Sequence, residues 1–372
     1  MKVIVLGGAG DMGSRAVEDL VRSAEVRQVA IADRNLAAAE ALARKVAGQG
    51  AEVLVKPIDA NHHPELVQAL RGYDVAASAL GPYHLYETKL VAAALEAGVP
   101  YASICDEWEA ADAVITRFHE PARKKDLFII TGLGTSPGIS NVGVRYLAQQ
   151  MDRVRRADIS VFQPLNAGGG PAVIRHMLYI MSGQVAVWRG GKRVMVPACS
   201  EEREIEFPRY GKMKCWNMGH SEPETVPRFF PGIEEVNFFM GFGEGAGLVV
   251  KPAQWGLFNG PARRRVIGRL IDWLEAATRS PEPDWGAVRV DAWGELKGKP
   301  VHRMLCGIGQ MREATGISLA IGTIMLARKQ LLTEEGGVYA PEACLDPLPF
   351  IQAMKAKGLQ AFHDLEMKEP VT

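Results

Sequence analysis

The chain has 372 residues, 47% of them hydrophobic and 23% charged, which is too long for one comfortable core and too apolar for disorder, so two domains are expected. Lys+Arg and Asp+Glu both number 43; with no net charge, nothing recommends nucleic acid or an anionic membrane as partner, and a small neutral or zwitterionic ligand fits better. Five cysteines without a C-x-x-C pair argue against a disulfide framework or a zinc ribbon, so no metal site is expected and the setting reads as a reducing cytoplasm.

The chain opens on Met-Lys-Val-Ile-Val-Leu-Gly-Gly, which reads as a first β-strand over Lys2–Leu6 rather than a signal peptide or an anchor. Gly8-Ala9-Gly10-Asp11-Met12-Gly13 follows, a G-x-G-x-x-G match placed between that strand and an amphipathic helix over 12–24. Gly8 permits the tight turn, Gly10 lets a pyrophosphate approach the backbone, and Gly13 allows close helix–strand packing. Asp11 and Met12 contribute backbone at the turn, where free N–H groups and the helix dipole meet the anion. The second strand, Gln28–Ala32, leads into Asp33, twenty residues beyond Gly13. There a carboxylate accepts hydrogen bonds from an adenosine ribose and repels a 2′-phosphate. Arg34 can instead pair with such a phosphate or stack on adenine, so the motif reads as NAD-binding with NADP as the alternative.

Further strands are expected at Glu52–Lys56, Val75–Ala79, Pro100–Ile104 and Leu127–Thr131, with helices near 36–48, 64–71, 84–97 and 108–125. Six strands in that rhythm imply an α/β fold, a Rossmann-type doubly wound parallel sheet that binds ligands beyond the carboxyl ends of its strands. Asp59 and Ala60 after the third strand, and Ala79, Leu80 and Gly81 after the fourth, are the further cofactor contacts this placement predicts. Tyr83, in Gly81-Pro82-Tyr83-His84, is a proton-handling or orienting candidate, or else a packing anchor. Asp106 follows the fifth strand and can bind a substrate ammonium, act as a base, or cap the next helix. Cys105 reads as a small buried hydrophobe.

Past about residue 150 the texture changes. Runs at Asp158–Phe162, Val185–Trp188, Val194–Pro197, Glu204–Pro208 and Val236–Met240 predict a mostly antiparallel sheet in a second, α+β domain. Arg189-Gly190-Gly191-Lys192 and Arg209-Tyr210-Gly211-Lys212 are its predicted hairpin connections, with glycine supplying positive φ. Helices are expected at 171–182 and 262–278, covering one face of that sheet, and a strongly apolar one at Ala314–Leu332. Arg175 and His176 on the first of these, and His220 in the polar loop Gly219–Thr225, are substrate-binding candidates whose alternative is plain surface solvation.

Several segments in order resemble the saccharopine dehydrogenase family, in particular its lysine 6-dehydrogenase-like members. They are Val3–Gly13 with Ala32-Asp33-Arg34, Gly81–His84, Gly134-Thr135-Ser136-Pro137-Gly138, Gly219–Thr225, and Ala314-Thr315-Gly316 onward to Gly337–Glu342. The resemblance implies an NAD(P)-dependent oxidoreductase of the CH–NH group of an amino acid or related amine, with hydride transfer leaving an imine. It implies domains at 1–140 (dinucleotide-binding) and 141–312 (substrate and oligomerisation), a helical segment at 313–372 returning to the first domain, and a homodimer or homotetramer. Tyr83 matches the Pro-Tyr pair of the family's active-site loop, and Ser136 joins the substrate-binding candidates. The chain departs from fungal saccharopine reductases at Thr135-Ser136, where they carry Leu-Asp, and from lysine 6-dehydrogenases at Gly132, where they carry aspartate. The residues themselves leave open a carbonyl or imine reductase outside amino-acid metabolism, or a non-catalytic dinucleotide-binding regulator.

Overall fold

The computed structural model describes all residues except 165–169 and 279–284, and it divides into two compact units. The first comprises Met1–Val142 and Arg312–Lys357, the second Gly143–Met311 and Gly358–Thr372. In chain order the first stretch runs β1 (Lys2–Leu6), α1 (Asp11–Arg22), β2 (Gln28–Asp33), α2 (Leu36–Val46), β3 (Glu52–Pro57), α3 (His63–Leu70), β4 (Val75–Ser78), α4 (Tyr83–Ala97), β5 (Tyr101–Ser103), α5 (Trp108–Lys124), β6 (Phe128–Thr131) and α6 (Ile139–Ala148). The chain passes into the second unit within α6. There follow β7 (Arg153–Phe162), α7 (Gly170–Ile180), β8 (Gln184–Arg189), β9 (Lys192–Pro197), β10 (Glu202–Phe207), β11 (Gly211–Asn217), α8 (Glu222–Phe229), β12 (Glu235–Gly241), α9 (Gly247–Gln254), α10 (Pro261–Thr278), β13 (Trp285–Leu296) and β14 (Lys299–Gln310). The return segment holds α11 (Met311–Ala327), β15 (Gly337–Tyr339), α12 (Pro341–Cys344) and α13 (Pro347–Ala356).

The first unit is a seven-stranded parallel sheet in the order β15-β6-β5-β4-β1-β2-β3. Continuous apolar runs such as Val3-Ile4-Val5-Leu6, all fully buried, suit strands covered on both faces. Ile4 and Leu6 pack with Leu66 and Leu70 of α3, Leu90 and Ala94 of α4, and Val114 of α5. α11 lies close on α1, since a Cβ added at Gly316 would sit 2.3 Å from Cβ of Arg15. Strand order reverses beside β1 and β4, which opens the crevice beyond their carboxyl ends.

The second unit has an eight-stranded sheet with the path β10-β11-β12-β7-β13-β14, while β8 pairs with β12 and β9. Only β12 and β7 run parallel among these pairs. Gly190 and Gly191 take positive φ in the β8–β9 turn as the sequence predicts, but at the β10–β11 turn Arg209 shares that duty with Gly211. The twelve-residue strands β13 and β14 were not among the predicted runs. They turn at Lys297-Gly298, both left-handed, as a two-residue hairpin requires. The tail is a second correction: Gly358–Thr372 belongs to the second unit. Phe362 exchanges backbone hydrogen bonds with Cys306 of β14 (2.9 and 2.8 Å), which gives that strand's polar edge a partner.

All five cysteines are free and buried. Among the described residues no helix is long and apolar enough to cross a membrane.

Candidate active site

The glycine loop turns one residue earlier than the motif suggests: Gly7, not Gly8, has the positive φ (70°), and its N–H donates to the carbonyl of Ala32 at 2.8 Å. Gly13 is sterically obligatory, because a Cβ there would stand 2.1 Å from the carbonyl oxygen of Gly7; at Gly8 it would meet the Val5 oxygen at 2.9 Å, and at Gly10 only the Gly7 oxygen at 3.3 Å. Gly10 is exposed and ends the loop as the N-cap of α1 without a side-chain cap. The first-turn N–H groups of Asp11 and Met12 are thus offered to an anion. Asp33 clamps the loop: one carboxylate oxygen accepts the Ala9 N–H (3.1 Å), the other the Asn35 N–H (2.9 Å). Arg34 beside it is exposed. Asp59 is exposed too, and two hydrogen bonds from Asn61 hold its carboxyl below the usual range. Ala60 is buried, and Ala79 and Leu80 abut Gly7, where an added Cβ would lie 3.0 Å from either. Gly81 and Pro82 then lead into α4. The glycine loop, the first turn of α1 and the Asp33 carboxylate lie together beyond the carboxyl ends of β1 and β2, and their donors and small side chains suit a dinucleotide.

Arg312, absent from the sequence expectations, lies 3.7 Å from the Asp11 carboxylate. It offsets the one acidic side chain at the α1 N-terminus.

Tyr83 is the first residue of α4 and is 8% exposed. Burial, and next the charge of Asp106, push its phenol well above the ordinary tyrosine value. Cys105 is raised well above the thiol range by burial and by Glu87, in keeping with a small buried hydrophobe. Asp106 is partly buried between β5 and α5. Neighbouring Glu107, only 1% exposed, accepts the backbone N–H of His84 and is hydrogen-bonded to its Nδ1, each at 2.6 Å. Glu87, fully buried, accepts the hydroxyls of Tyr101 (2.9 Å) and Ser103 (2.5 Å). Burial nevertheless pushes its carboxyl up to about 7. Glu87, His84 and Glu107 were not singled out from the sequence. The one legible sign was Glu87 itself, which stands four residues from Tyr83 on the buried face of α4.

Ser136 sits partly exposed in the loop after β6, which Thr135 ties to Thr315 of α11 through a 2.8 Å hydroxyl contact. Gly132 there has φ of 91°, and an added Cβ would lie 2.9 Å from Pro137, so the aspartate of related proteins would be strained at this backbone.

In the second unit the structure brings a ring nitrogen of His176 and one of His220 within 4.8 Å of each other. Arg175 is exposed on α7 with its aliphatic stem near Gly268 of α10. The predicted polar loop Gly219–Thr225 is a buried segment that starts α8. It can be buried because its histidine and its two glutamates have partners. His220 Nδ1 bonds the Glu222 carboxylate, its ring stacks on Phe238 with centroids 3.9 Å apart, and Glu224 is held by Arg193 and Arg228.

Residues 3–126 match the family model described as the saccharopine dehydrogenase NADP binding domain. The chain is 24% identical over 263 residues to carboxynorspermidine synthase of Vibrio cholerae, an alignment covering 64% of this chain and 62% of that one. It is 23% identical over 259 residues to carboxyaminopropylagmatine dehydrogenase of Synechocystis, covering 66% and 63%. The matches span less than two thirds of these relatives' own length. In fold the chain resembles apo saccharopine dehydrogenase (L-Glu forming) from Saccharomyces cerevisiae, with a TM-score of 0.69, 14% identity and full coverage of both chains.

Proposed function

We propose, from the premise that the chain belongs to the saccharopine dehydrogenase family, that it oxidises or forms the CH–NH bond of a carboxylated amine with a nicotinamide dinucleotide. The match of residues 3–126 to an NADP binding domain and the similar proteins support an NAD(P)-binding oxidoreductase; the reaction and the substrate class are our reading. The observation that carries it is the glycine loop with Asp33 at the ends of β1 and β2, beside strand ends bearing the buried Tyr83 phenol and the Asp106 carboxyl. When bound, the nicotinamide takes up or gives the hydride. Asp33 accepts the ribose hydroxyls, and exposed Arg34 is the group a 2′-phosphate would meet, so NAD and NADP are both served by this edge. Tyr83 donates a hydrogen bond to the substrate nitrogen or carboxylate, and Asp106 holds the substrate ammonium. Ser136 is assigned to the polar remainder of the substrate, and the second unit offers Arg175, His176 and His220 as its own candidate substrate contacts, Arg175 for a carboxylate. Two similar proteins are named for carboxynorspermidine and carboxyaminopropylagmatine, both carboxylated amines, which supports that class.

The test is the initial rate of NADH and NADPH formation at mildly alkaline pH with lysine, ornithine, saccharopine, carboxylated polyamines and simple amino acids. Turnover of one carboxylated amine is expected. Tyr83→Phe and Asp106→Asn should each lower kcat by about 10²-fold while leaving cofactor affinity unchanged. A silent panel with cofactor binding intact would reject the CH–NH reading in favour of a carbonyl reductase or a non-catalytic binder.

A further inference from the structure

An amine can give up a hydride only after its nitrogen is deprotonated, so this chemistry needs a proton acceptor as well as a donor. The two buried groups beside the strand ends, the Tyr83 phenol and the Cys105 thiol, both keep their protons. His84 follows Tyr83 directly, at the second position of α4 and just beyond the carboxyl end of β4. Its side chain is 31% exposed, while that of its partner Glu107 is 1% exposed. One Glu107 oxygen receives both the Nδ1 and the backbone N–H of His84 at 2.6 Å, so the carboxylate is seated on the N-terminus of α4 and on the imidazole together. With Glu107 ionised its carboxylate only accepts, so Nδ1 then carries the hydrogen and Nε2 is the nitrogen through which the ring passes a proton. Tyr83 and Glu87 on α4 and Cys105 at the end of β5 lie within electrostatic reach of Glu107, and Asp106 precedes it in the chain.

We infer that His84 is the proton acceptor of the reaction and Glu107 its positioning residue; this rests on the CH–NH reading above. In the oxidative direction the substrate ammonium gives its proton to His84 Nε2, making an imidazolium paired with Glu107. Deprotonation frees the nitrogen lone pair for the C=N bond, and a bound nicotinamide would supply the acceptor for the C–H hydride. The imidazolium returns its proton to water, and reduction runs the same steps backwards. Asp106 remains the group that binds the ammonium before this transfer.

The experiment compares wild type, His84→Gln, Glu107→Gln and Glu107→Asp as NADH-bound enzyme, on the amine that the wild type turns over, with ¹⁵N spectra of the histidine rings. Expected are a kcat loss of about 10²-fold in His84→Gln and Glu107→Gln, partial rescue in Glu107→Asp, and NADH affinity within about twofold of wild type. The resonance that disappears in His84→Gln should report Nδ1–H in wild type and lose that tautomer in Glu107→Gln, a change that loosened packing alone would not produce. Wild-type kcat in His84→Gln overturns the inference and leaves the CH–NH function standing. An Nε2–H tautomer for His84 in the wild type overturns it as well. Absence of wild-type turnover on any amine overturns the function and, with it, this role. If Glu107→Gln fails to bind NADH, the partly exposed His84→Gln variant decides.

Discussion

Glu87 places a carboxylate in the buried stripe of α4, among Tyr83, Leu90, Val91 and Ala94. The hydroxyls of Ser103, Tyr101 and Thr131 favour its charged form, yet burial wins and lifts it from an ordinary 4.5 to about 7. The folded protein therefore holds a proton that the unfolded chain has released between pH about 4.5 and 7. Stability contributed by this group is present at the acid end and lost as pH rises through 7, by up to about 3 kcal/mol. Urea midpoints at pH 5 and pH 8 should differ by that amount more in wild type than in Glu87→Gln, and parallel shifts would refute it. Single residues were legible where their role is local: Asp33 ends a strand at the expected spacing, and Tyr83 follows a Gly-Pro pair. His84 with Glu107, and Asp11 with Arg312, were not, since each pair joins groups 23 or more positions apart that no periodicity links.

At the scale of elements, the glycine loop is the clearest case of sequence dictating shape, with one shift of position. The motif glycines are needed for closeness, while the left-handed turn falls on Gly7 just ahead of them. Gly13→Ala should therefore cost more than Gly10→Ala, since the new methyl meets the Gly7 carbonyl at 2.1 Å rather than 3.3 Å. NADH fluorescence titration should show at least about a tenfold weaker Kd for Gly13→Ala, with a fall in stability of roughly 1–3 kcal/mol. The reverse order would mean the glycine loop closes elsewhere. The β13–β14 hairpin escaped notice because Gly286, Gly294, Gly307 and Gly309 dilute its β-branched residues; two of these sites cannot take a side chain, a Cβ lying 2.4 Å from the Phe162 oxygen at Gly286 and 2.0 Å from the Arg153 oxygen at Gly294. The Gly219–Thr225 segment misled in the opposite direction. Its composition is that of a solvated loop, and only the ion pairs of Glu222 and Glu224 allow it to be buried.

At the scale of the whole molecule, each unit is assembled from two separate stretches of chain, and the C-terminal fifteen residues serve the second unit. Val371 is 2% exposed and its N–H donates to Ala361, while Phe362 completes Cys306. Truncation after Lys357 should lower second-unit stability by about 3 kcal/mol, from two strand-type hydrogen bonds and one buried valine. Six of the seven tryptophans lie from Trp188 to Trp293, so intrinsic fluorescence follows that unit; an unchanged urea midpoint would show the tail to be dispensable. The sequence by itself determined the doubly wound order of strands and helices, the glycine loop and its acidic partner, and the change to an antiparallel texture near residue 150. Those features depend on near neighbours, through side-chain periodicity and the conformational freedom of glycine. Only the tertiary structure decided that β15 joins the first sheet, that the tail caps β14, and that the buried carboxyls of Glu87, Glu107 and Glu222 find their partners. A buried polar group is tolerable only beside a matching one, and the fold alone brings residues distant in sequence within hydrogen-bond reach.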